Sequence, residues 1–200
     1  MGGIDATVDT TVAELAKTAI QRGRDEVVTL EAHGLKLFID VLLPPPMLIM
    51  VGGVHIAITL ATLAKTLNYR TIVIDPRHAF GTQERFPHVD QLITAWPQDA
   101  FAELKLNENT AVAILTHDPK IDDPALQLVL RSPAFYIGAL GSRKTHARRL
   151  ARLAAAGVTE GELARIHAPI GLAIGAANPP EIAVAILAEI IQSLRLRDAA

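Results

Sequence analysis

From residue 47 onward, short runs of aliphatic residues alternate with longer segments in which apolar residues recur every three or four positions. Short aliphatic runs are typical of buried parallel strands, and the longer spacing is typical of amphipathic helices. The alternation predicts an α/β fold, an open parallel sheet with helices on both faces. The predicted strands are Met47–Val51, Thr71–Ile74, Gln91–Thr94, Ala111–Leu115 and Phe135–Gly138, with a shorter extended piece at Gly171–Ile174.

Helices are predicted in most of the gaps between these strands. His55–Leu67 and Thr145–Ala156 both carry apolar residues at helical spacing. The final helix runs from Asn178 to about Arg195 and has the strongest start. It has a capping residue, a proline at the first helical position and a glutamate three residues after the cap.

Residues 1–43 have a different pattern and are predicted to form an N-terminal appendage. A short amphipathic helix around Val12–Gln21 precedes Val27–Leu30 and Leu35–Val41, which are predicted to pair as a β-hairpin. Three prolines at 44–46 form a stiff joint to the main domain, residues 44–200. Because an isolated hairpin is only marginally stable in water, this one should pack on the main domain or on a second copy of the chain.

Composition narrows the classes of protein that fit. The net charge of −2 gives no reason to expect nucleic acid as a partner. No apolar run approaches the roughly eighteen residues that a membrane helix needs, and the first residues lack a secretory signal, so a cytoplasmic location is expected. The absence of cysteine excludes disulfides and thiolate ligands, and the histidines lack metal-ligand spacing, so no metal site is expected.

A glycine turn follows the first predicted strand of the main domain. Gly52 and Gly53 allow a tight turn that presents backbone N–H groups to a phosphate at the start of a helix. Asp75, at the end of the next strand, lies where an acid can reach a ribose hydroxyl. This is a nucleotide-binding, Rossmann-like pattern. Val54 replaces the middle glycine of the G-x-G-x-x-[GA] frame, so the pattern supports the fold more strongly than a dinucleotide ligand.

Two further loops place polar residues after strands. The first loop carries Thr116, His117 and Asp118. One interpretation of these polar residues is a functional site at the end of a strand. The other is a capped loop, in which Asp122 or Asp123 starts a helix from Pro124.

The second loop runs from Gly138 through Gly141 and Ser142 to Arg143. Cations at a helix N-terminus oppose the helix dipole, so Arg143 favours an anion beside it, whereas Ser142 alone would suit a plain N-cap. The basic residues further along this helix are expected to form a solvated face: Arg148, Arg149 and Arg152. A third stretch, residues 167–176, contains Gly171 and Gly175, which allow close approach of the backbone to a ligand or to a neighbouring element.

With these loops identified, the segment from about Phe38 to Arg195 resembles the C-terminal Rossmann domain of the XdhC/CoxI family. Several blocks in the same order carry the resemblance: Pro44-Pro45-Pro46, the glycine turn with His55, Ile74-Asp75-Pro76-Arg77, Glu84-Arg85-Phe86-Pro87, Leu115-Thr116-His117-Asp118-Pro119-Lys120, Asp122-Asp123-Pro124-Ala125-Leu126, Tyr136-Ile137-Gly138-Ala139-Leu140-Gly141-Ser142-Arg143, His167-Ala168-Pro169-Ile170-Gly171-Leu172 and Glu181-Ile182-Ala183. Val54 and Ala173 depart from the family pattern, and the cysteine-containing N-terminal domain of longer members is missing. The chain therefore resembles a short form.

The resemblance implies a function as well as a fold. Members of this family are accessory proteins that bind molybdenum cofactor, protect it during sulfuration and deliver it to hydroxylases such as xanthine dehydrogenase and CO dehydrogenase. Implied partners are the apo-hydroxylase, a cysteine desulfurase or a separate protein of the N-terminal type, and a second copy of the chain. No catalytic residue is expected. The implied cofactor-binding residues are Gly52, Gly53, His55, Asp75, Arg77, Thr116, His117, Asp118, Gly138, Gly141, Ser142, Arg143 and Gly171.

Two alternatives remain open from the sequence. One is an NAD(P)-binding oxidoreductase or redox sensor, because a Rossmann-like domain with a ribose-reaching acid suits nicotinamide cofactors. The other is a non-binding dimeric scaffold in the maturation complex, which the replacements at Val54 and Ala173 favour. For molybdopterin, the phosphate is expected on the Gly141–Arg143 turn or on the Gly52–Gly53 turn, with Asp75 on a ribose or pterin group.

Overall fold

The computed structural model describes residues 6–196, which divide into two compact units. One unit is Pro45–Leu194, and the other contains the remaining described residues. Among residues 6–196, no helix has both the length and the apolar content needed to cross a bilayer.

The smaller unit contains one helix and one hairpin, as predicted. Helix α1 (Ala6–Arg22) starts earlier than the predicted Val12, and strands β1 (Glu26–Leu30) and β2 (Leu35–Ile39) pair in antiparallel register. A short 3₁₀ turn joins the two strands and ends at Gly34, whose φ of 62° a glycine adopts without strain.

The larger unit is built on a six-stranded parallel sheet in the order β5-β4-β3-β6-β7-β8. The predicted parallel sheet with helices on both faces is confirmed. Its strands are β3 (Met47–Val51), β4 (Arg70–Ile74), β5 (Gln91–Ile93), β6 (Thr110–Ile114), β7 (Tyr136–Ala139) and β8 (Ile166–His167). The helices between and after them are α2 (His55–Thr66), α3 (Pro97–Ala102), α4 (Pro119–Val129), α5 (Arg143–Ala155), α6 (Glu160–Leu163) and α7 (Pro179–Leu196).

Alternate residues of the central strand β3 pack in two separate hydrophobic cores. Leu48 and Met50 pack in the cluster that contains α2 and α7 residues, whereas Ile49 and Val51 pack in the cluster that contains α3, α4 and α5 residues. Both faces of a parallel sheet must be covered, which explains why β3 has no polar residue. The strand order reverses between β3 and β6, so the loops after these two strands lead to helices on opposite faces of the sheet. A crevice forms between the two loops, and open parallel sheets bind ligands in such a crevice.

Two expectations about elements are wrong. Gly171–Ile174 is not a strand, and the sixth strand is Ile166–His167, because Gly171 and Gly175 adopt φ of 92° and 78° and the Ile174 N–H turns back to the Leu172 carbonyl. Helix α4 begins at Pro119 rather than at Pro124. Asp118 caps it by accepting a hydrogen bond from the Lys120 N–H, and Pro124 lies inside the helix.

Candidate functional site

Asp75 joins the loops that follow β3 and β4. Its fully buried carboxylate accepts hydrogen bonds from the Gly53 N–H at 2.7 Å and from the Arg77 N–H at 2.9 Å. The Arg77 guanidinium adds two more, from Nε at 2.9 Å and from Nη2 at 2.7 Å. Burial acts to raise the pKa of Asp75, but the hydrogen bonds from Arg77 and Gly53 outweigh it and leave the pKa lowered.

The two glycines of the β3 turn are required by close packing within the chain. A Cβ at Gly52 would lie 2.5 Å from Thr116 Cγ2, and φ there is 112°. A Cβ at Gly53 would overlap the Phe80 carbonyl oxygen. The turn is therefore held between the loop after β6 and the segment that follows Asp75.

That segment, residues 77–85, is ordered around one aromatic ring. The Arg77 Cζ lies 4.2 Å from the Phe80 ring centroid, and the Arg85 Cζ lies 5.5 Å from the same centroid. Arg85 also donates to the Ala79 and Phe80 carbonyls. Cation–π stacking and these hydrogen bonds fix the conformation of the segment, whose Phe80 carbonyl lies against Gly53.

The loop after β6 is tied to the start of α4. Thr116 is buried; its hydroxyl donates to the Asp122 carboxylate and accepts from the Asp118 N–H at 3.1 Å. The loop is capped as the second alternative predicts, but by Asp118 rather than by Asp122 or Asp123. Burial raises the pKa of Asp122, and the hydrogen bonds from Thr116 and Arg149 act in the opposite direction.

Arg149 connects this loop to the one after β7. Its Nη2 lies 3.3 Å from the Asp122 carboxylate and donates to the Leu140 carbonyl at 2.8 Å. The expected solvated position for Arg149 is wrong, since only 1% of the residue is exposed. Arg149 stands four residues before the buried Leu153, on the inward stripe of α5, and this spacing was the available sequence signal. Arg152 is more exposed and pairs with Asp123.

Three predicted site residues have exposed side chains at the carboxyl edge of the sheet. His55 is the first residue of α2, His117 follows Thr116, and Arg143 is the first residue of α5. The side chains of all three make no hydrogen bond or ion pair with another residue in the range 6–196. Ser142 caps α5 by accepting from the Thr145 N–H, as the plain N-cap interpretation predicts, and Gly141 before it has φ of 139°. Arg143 is therefore available to a ligand.

Gly138 and Gly171 are not part of this group. Gly138 lies within β7, where a Cβ would meet the Tyr136 hydroxyl at 2.5 Å and Ile170 at 2.6 Å. Gly171 approaches α7, and a Cβ there would lie 3.0 Å from the Ala185 backbone. Packing within the chain accounts for both glycines.

A second polar cluster, missed in the sequence, surrounds Glu189 on α7. Its carboxylate accepts from the Tyr136 hydroxyl at 2.6 Å and from the Gly171 N–H at 2.8 Å, and His167 Nδ1 lies 3.4 Å away. Burial acts to raise the pKa of Glu189, but these partners leave it lowered. No sequence motif linked residues separated by this distance along the chain.

The site as a whole offers positive charge and backbone donors rather than a metal cage. Val54 is the N-cap of helix α2 and provides no side-chain cap, so the first N–H groups of the helix are not used by any side chain of the described segment. Arg77 and Arg143 flank the crevice from the loops after β4 and β7. Within residues 6–196, no three His, Cys, Asp or Glu side chains lie together in an arrangement able to hold a metal ion.

Several known proteins are similar in sequence to this chain. A Bacillus subtilis protein described as a probable subunit of xanthine dehydrogenase is 36% identical over 157 residues, which are 78% of this chain and 46% of that protein. The Escherichia coli molybdenum cofactor insertion chaperone PaoD is 38% identical over 97 residues, 48% of this chain and 30% of PaoD. The chain thus spans less than half the length of these curated relatives.

A solved structure has the same fold. The crystal structure of a Bacillus halodurans protein described as a xanthine dehydrogenase superposes with a TM-score of 0.68 at 29% identity, covering 82% of this chain and 46% of that one. The XdhC Rossmann domain matches residues 48–190, almost the whole of the larger unit. The chain therefore belongs to the XdhC Rossmann-domain family.

Proposed function

We propose that the chain is an accessory protein that binds molybdenum cofactor and assists its sulfuration or its insertion into a hydroxylase of the xanthine dehydrogenase or CO dehydrogenase type. The similarity to the E. coli insertion chaperone PaoD carries this proposal. The convergence of loops from β3, β4, β6 and β7 at one crevice supports it, because a purely structural domain has no evident need for exposed, unpaired His117 and Arg143 there.

The residues present fit the organic part of the cofactor. Molybdopterin has a terminal phosphate, a hydrogen-bonding pterin and a dithiolene that carries the metal. The uncapped start of α2, Arg77 and Arg143 suit the phosphate, and the partly exposed Asp118 suits the pterin. The dithiolene of the cofactor would hold molybdenum, and the bound cofactor would supply the metal chemistry to the recipient enzyme.

His117 is assigned to the transfer step. It is exposed next to the buried Thr116, which fixes the start of its loop through Asp122. A side chain in this position can contact both a ligand in the crevice and a docked enzyme. The partners in this proposal are an apo molybdenum hydroxylase, a cysteine desulfurase or a separate protein of the XdhC N-terminal type, and a second copy of the chain.

The test is direct binding. Purified protein is incubated with molybdenum cofactor and, separately, with NAD(H) and NADP(H); co-eluting pterin and metal are measured alongside the thermal shift for each ligand. We expect about one pterin per chain and no shift with NAD(H). A nicotinamide shift without pterin would replace the proposal by redox sensing or catalysis. No response to any ligand would favour the scaffold.

A further inference from the structure

Asp75 lies at the end of β4, and its carboxylate is already occupied by donors of the chain itself. In dinucleotide-binding sheets the acid at this position accepts the ribose hydroxyls. Here each oxygen of Asp75 already accepts two hydrogen bonds, Oδ1 from Arg77 N and Nε, and Oδ2 from Gly53 N and Arg77 Nη2. An ionised carboxylate has about four acceptor positions, so Asp75 has none left for a ribose diol.

Arg77 is fixed in place before any ligand arrives. Its Nε and Nη2 edge holds Asp75, and its guanidinium stacks on Phe80. Nη1 makes no hydrogen bond within residues 6–196, and 35% of the side chain is exposed. A guanidinium has five N–H donors, so its Nη1 edge remains free for a second acceptor.

The charges of Asp118 and Asp122 act to raise the pKa of Arg77, but neither acid makes a hydrogen bond to that edge. Asp118 accepts from the Lys120 N–H at the start of α4. Asp122 accepts from Thr116 and pairs with the buried Arg149. Of the acids within residues 6–196, Asp75 alone forms an ion pair with Arg77.

From these contacts we propose that Arg77 makes the β4 side of the crevice a receptor for a phosphomonoester, in place of the ribose diol that the position ordinarily binds. The inference rests on the proposed function in one respect, that this crevice binds a ligand. An arginine already held by a carboxylate and a ring loses little side-chain freedom on binding, and its planar donors match phosphate oxygens. The phosphate can be the terminal group of molybdopterin or the 2′-phosphate of NADP.

Two pairs of probes, each differing by one phosphate, test this proposal. The first is the fluorescent oxidised pterin phosphate derived from molybdopterin, against the same compound after phosphatase treatment. The second is NADP⁺ against NAD⁺. Titrations at one salt concentration should give about tenfold tighter binding of the phosphorylated member of at least one pair.

Arg77→Lys is the variant of choice, because lysine keeps a positive charge beside the buried Asp75 and so protects the fold. Its single ammonium has no second planar edge, and the phosphate preference should fall to within about twofold. The matched control is Arg152→Lys. Arg152 holds Asp123 through the same Nε and Nη2 edge, away from the crevice, and its replacement should keep the preference.

The outcomes separate this inference from the proposed function. A pterin phosphate preference that Arg77→Lys removes supports both. A preference confined to NADP⁺, with no pterin bound, supports Arg77 as the phosphate receptor and rejects the cofactor chaperone. Equal binding of the two pterins rejects Arg77 as the phosphate receptor and leaves the cofactor-chaperone proposal in place. Binding of no probe rejects both the role of Arg77 and the cofactor chaperone. A phosphate preference that survives Arg77→Lys but not Arg143→Ala places the phosphate at the α5 turn and rejects the inference.

Discussion

The guanidinium of Arg149 lies 3.3 Å from the carboxylate of Asp122, and both side chains are almost fully buried. The same Nη2 donates to the Leu140 carbonyl, so one side chain of α5 connects the first turn of α4, and through Thr116 the loop after β6, to the loop after β7. On the side of the loops after β6 and β7, the shape of the crevice depends on the buried ion pair between Arg149 and Asp122 rather than on the exposed residues that line it.

Arg149→Met should therefore destabilise the protein strongly. It leaves the buried Asp122 charge without its partner, which costs about 3–5 kcal/mol in the free energy of unfolding. Urea denaturation measures the change. Arg152→Met is the control one turn along α5, where the partly exposed pair with Asp123 should cost at most about 1 kcal/mol. Equal losses in the two variants would contradict the structural role of Arg149.

Gly53→Ala should lower stability by about 1–3 kcal/mol, because the added methyl group overlaps the Phe80 carbonyl and displaces segment 77–85. The control is Gly161→Ala on α6, where the new Cβ has nothing within 4 Å and alanine is the better helix former. Thermal unfolding should separate the two variants. A stable Gly53→Ala protein would mean that the segment yields without cost.

Asp75 should make stability depend on acid pH. Its folded-state pKa is lowered, so its contribution is complete above the unfolded value of about 3.9 and is lost as pH falls through the folded pKa. The difference in unfolding free energy between wild type and Asp75→Asn should shrink from about pH 5 to about pH 2. A difference that is constant across this range would show that ionisation of Asp75 contributes nothing.

Tyr136 and Glu189 should be energetically coupled. Burial raises the pKa of Tyr136 well above its usual value, so its hydroxyl stays protonated and donates to Glu189. A double-mutant cycle of Tyr136→Phe and Glu189→Gln should give a coupling of about 1–3 kcal/mol. The same cycle with Glu181→Gln, which acts at the start of α7, should give a coupling near zero.

His117→Ala should impair delivery of cofactor to a recipient apo-enzyme more than it weakens cofactor binding. The exposed imidazole makes no hydrogen bond or ion pair with another described residue, so thermal stability should not change. Reconstitution of apo xanthine dehydrogenase gives the transfer rate, and pterin retention gives the affinity. His88→Ala, exposed ahead of β5, is the control. Unchanged transfer in His117→Ala would remove that residue from the proposal.

The order of elements could be predicted from the sequence because it depends on local periodicity. Aliphatic runs such as Met47–Val51 have no stable place except a doubly covered strand, and the cap, prolines and glutamate at residues 178–181 start a helix wherever they occur. The glycine turn and the polar loops were likewise found at the carboxyl edge, since parallel strands bring their ends to one side of a sheet.

Which of these residues have partners inside the chain was decided by the tertiary structure alone. Asp75 was expected to contact a ribose or pterin group, and in the structure its carboxylate accepts hydrogen bonds from Arg77 and Gly53; Arg149 was expected in solvent, yet it pairs with Asp122 inside. Periodicity assigns a residue to a strand end or to a helix face, but it carries no information about which donor from another part of the chain reaches a given carboxylate. Such pairings depend on distances across the folded chain, which only the packing of the two faces onto the sheet sets.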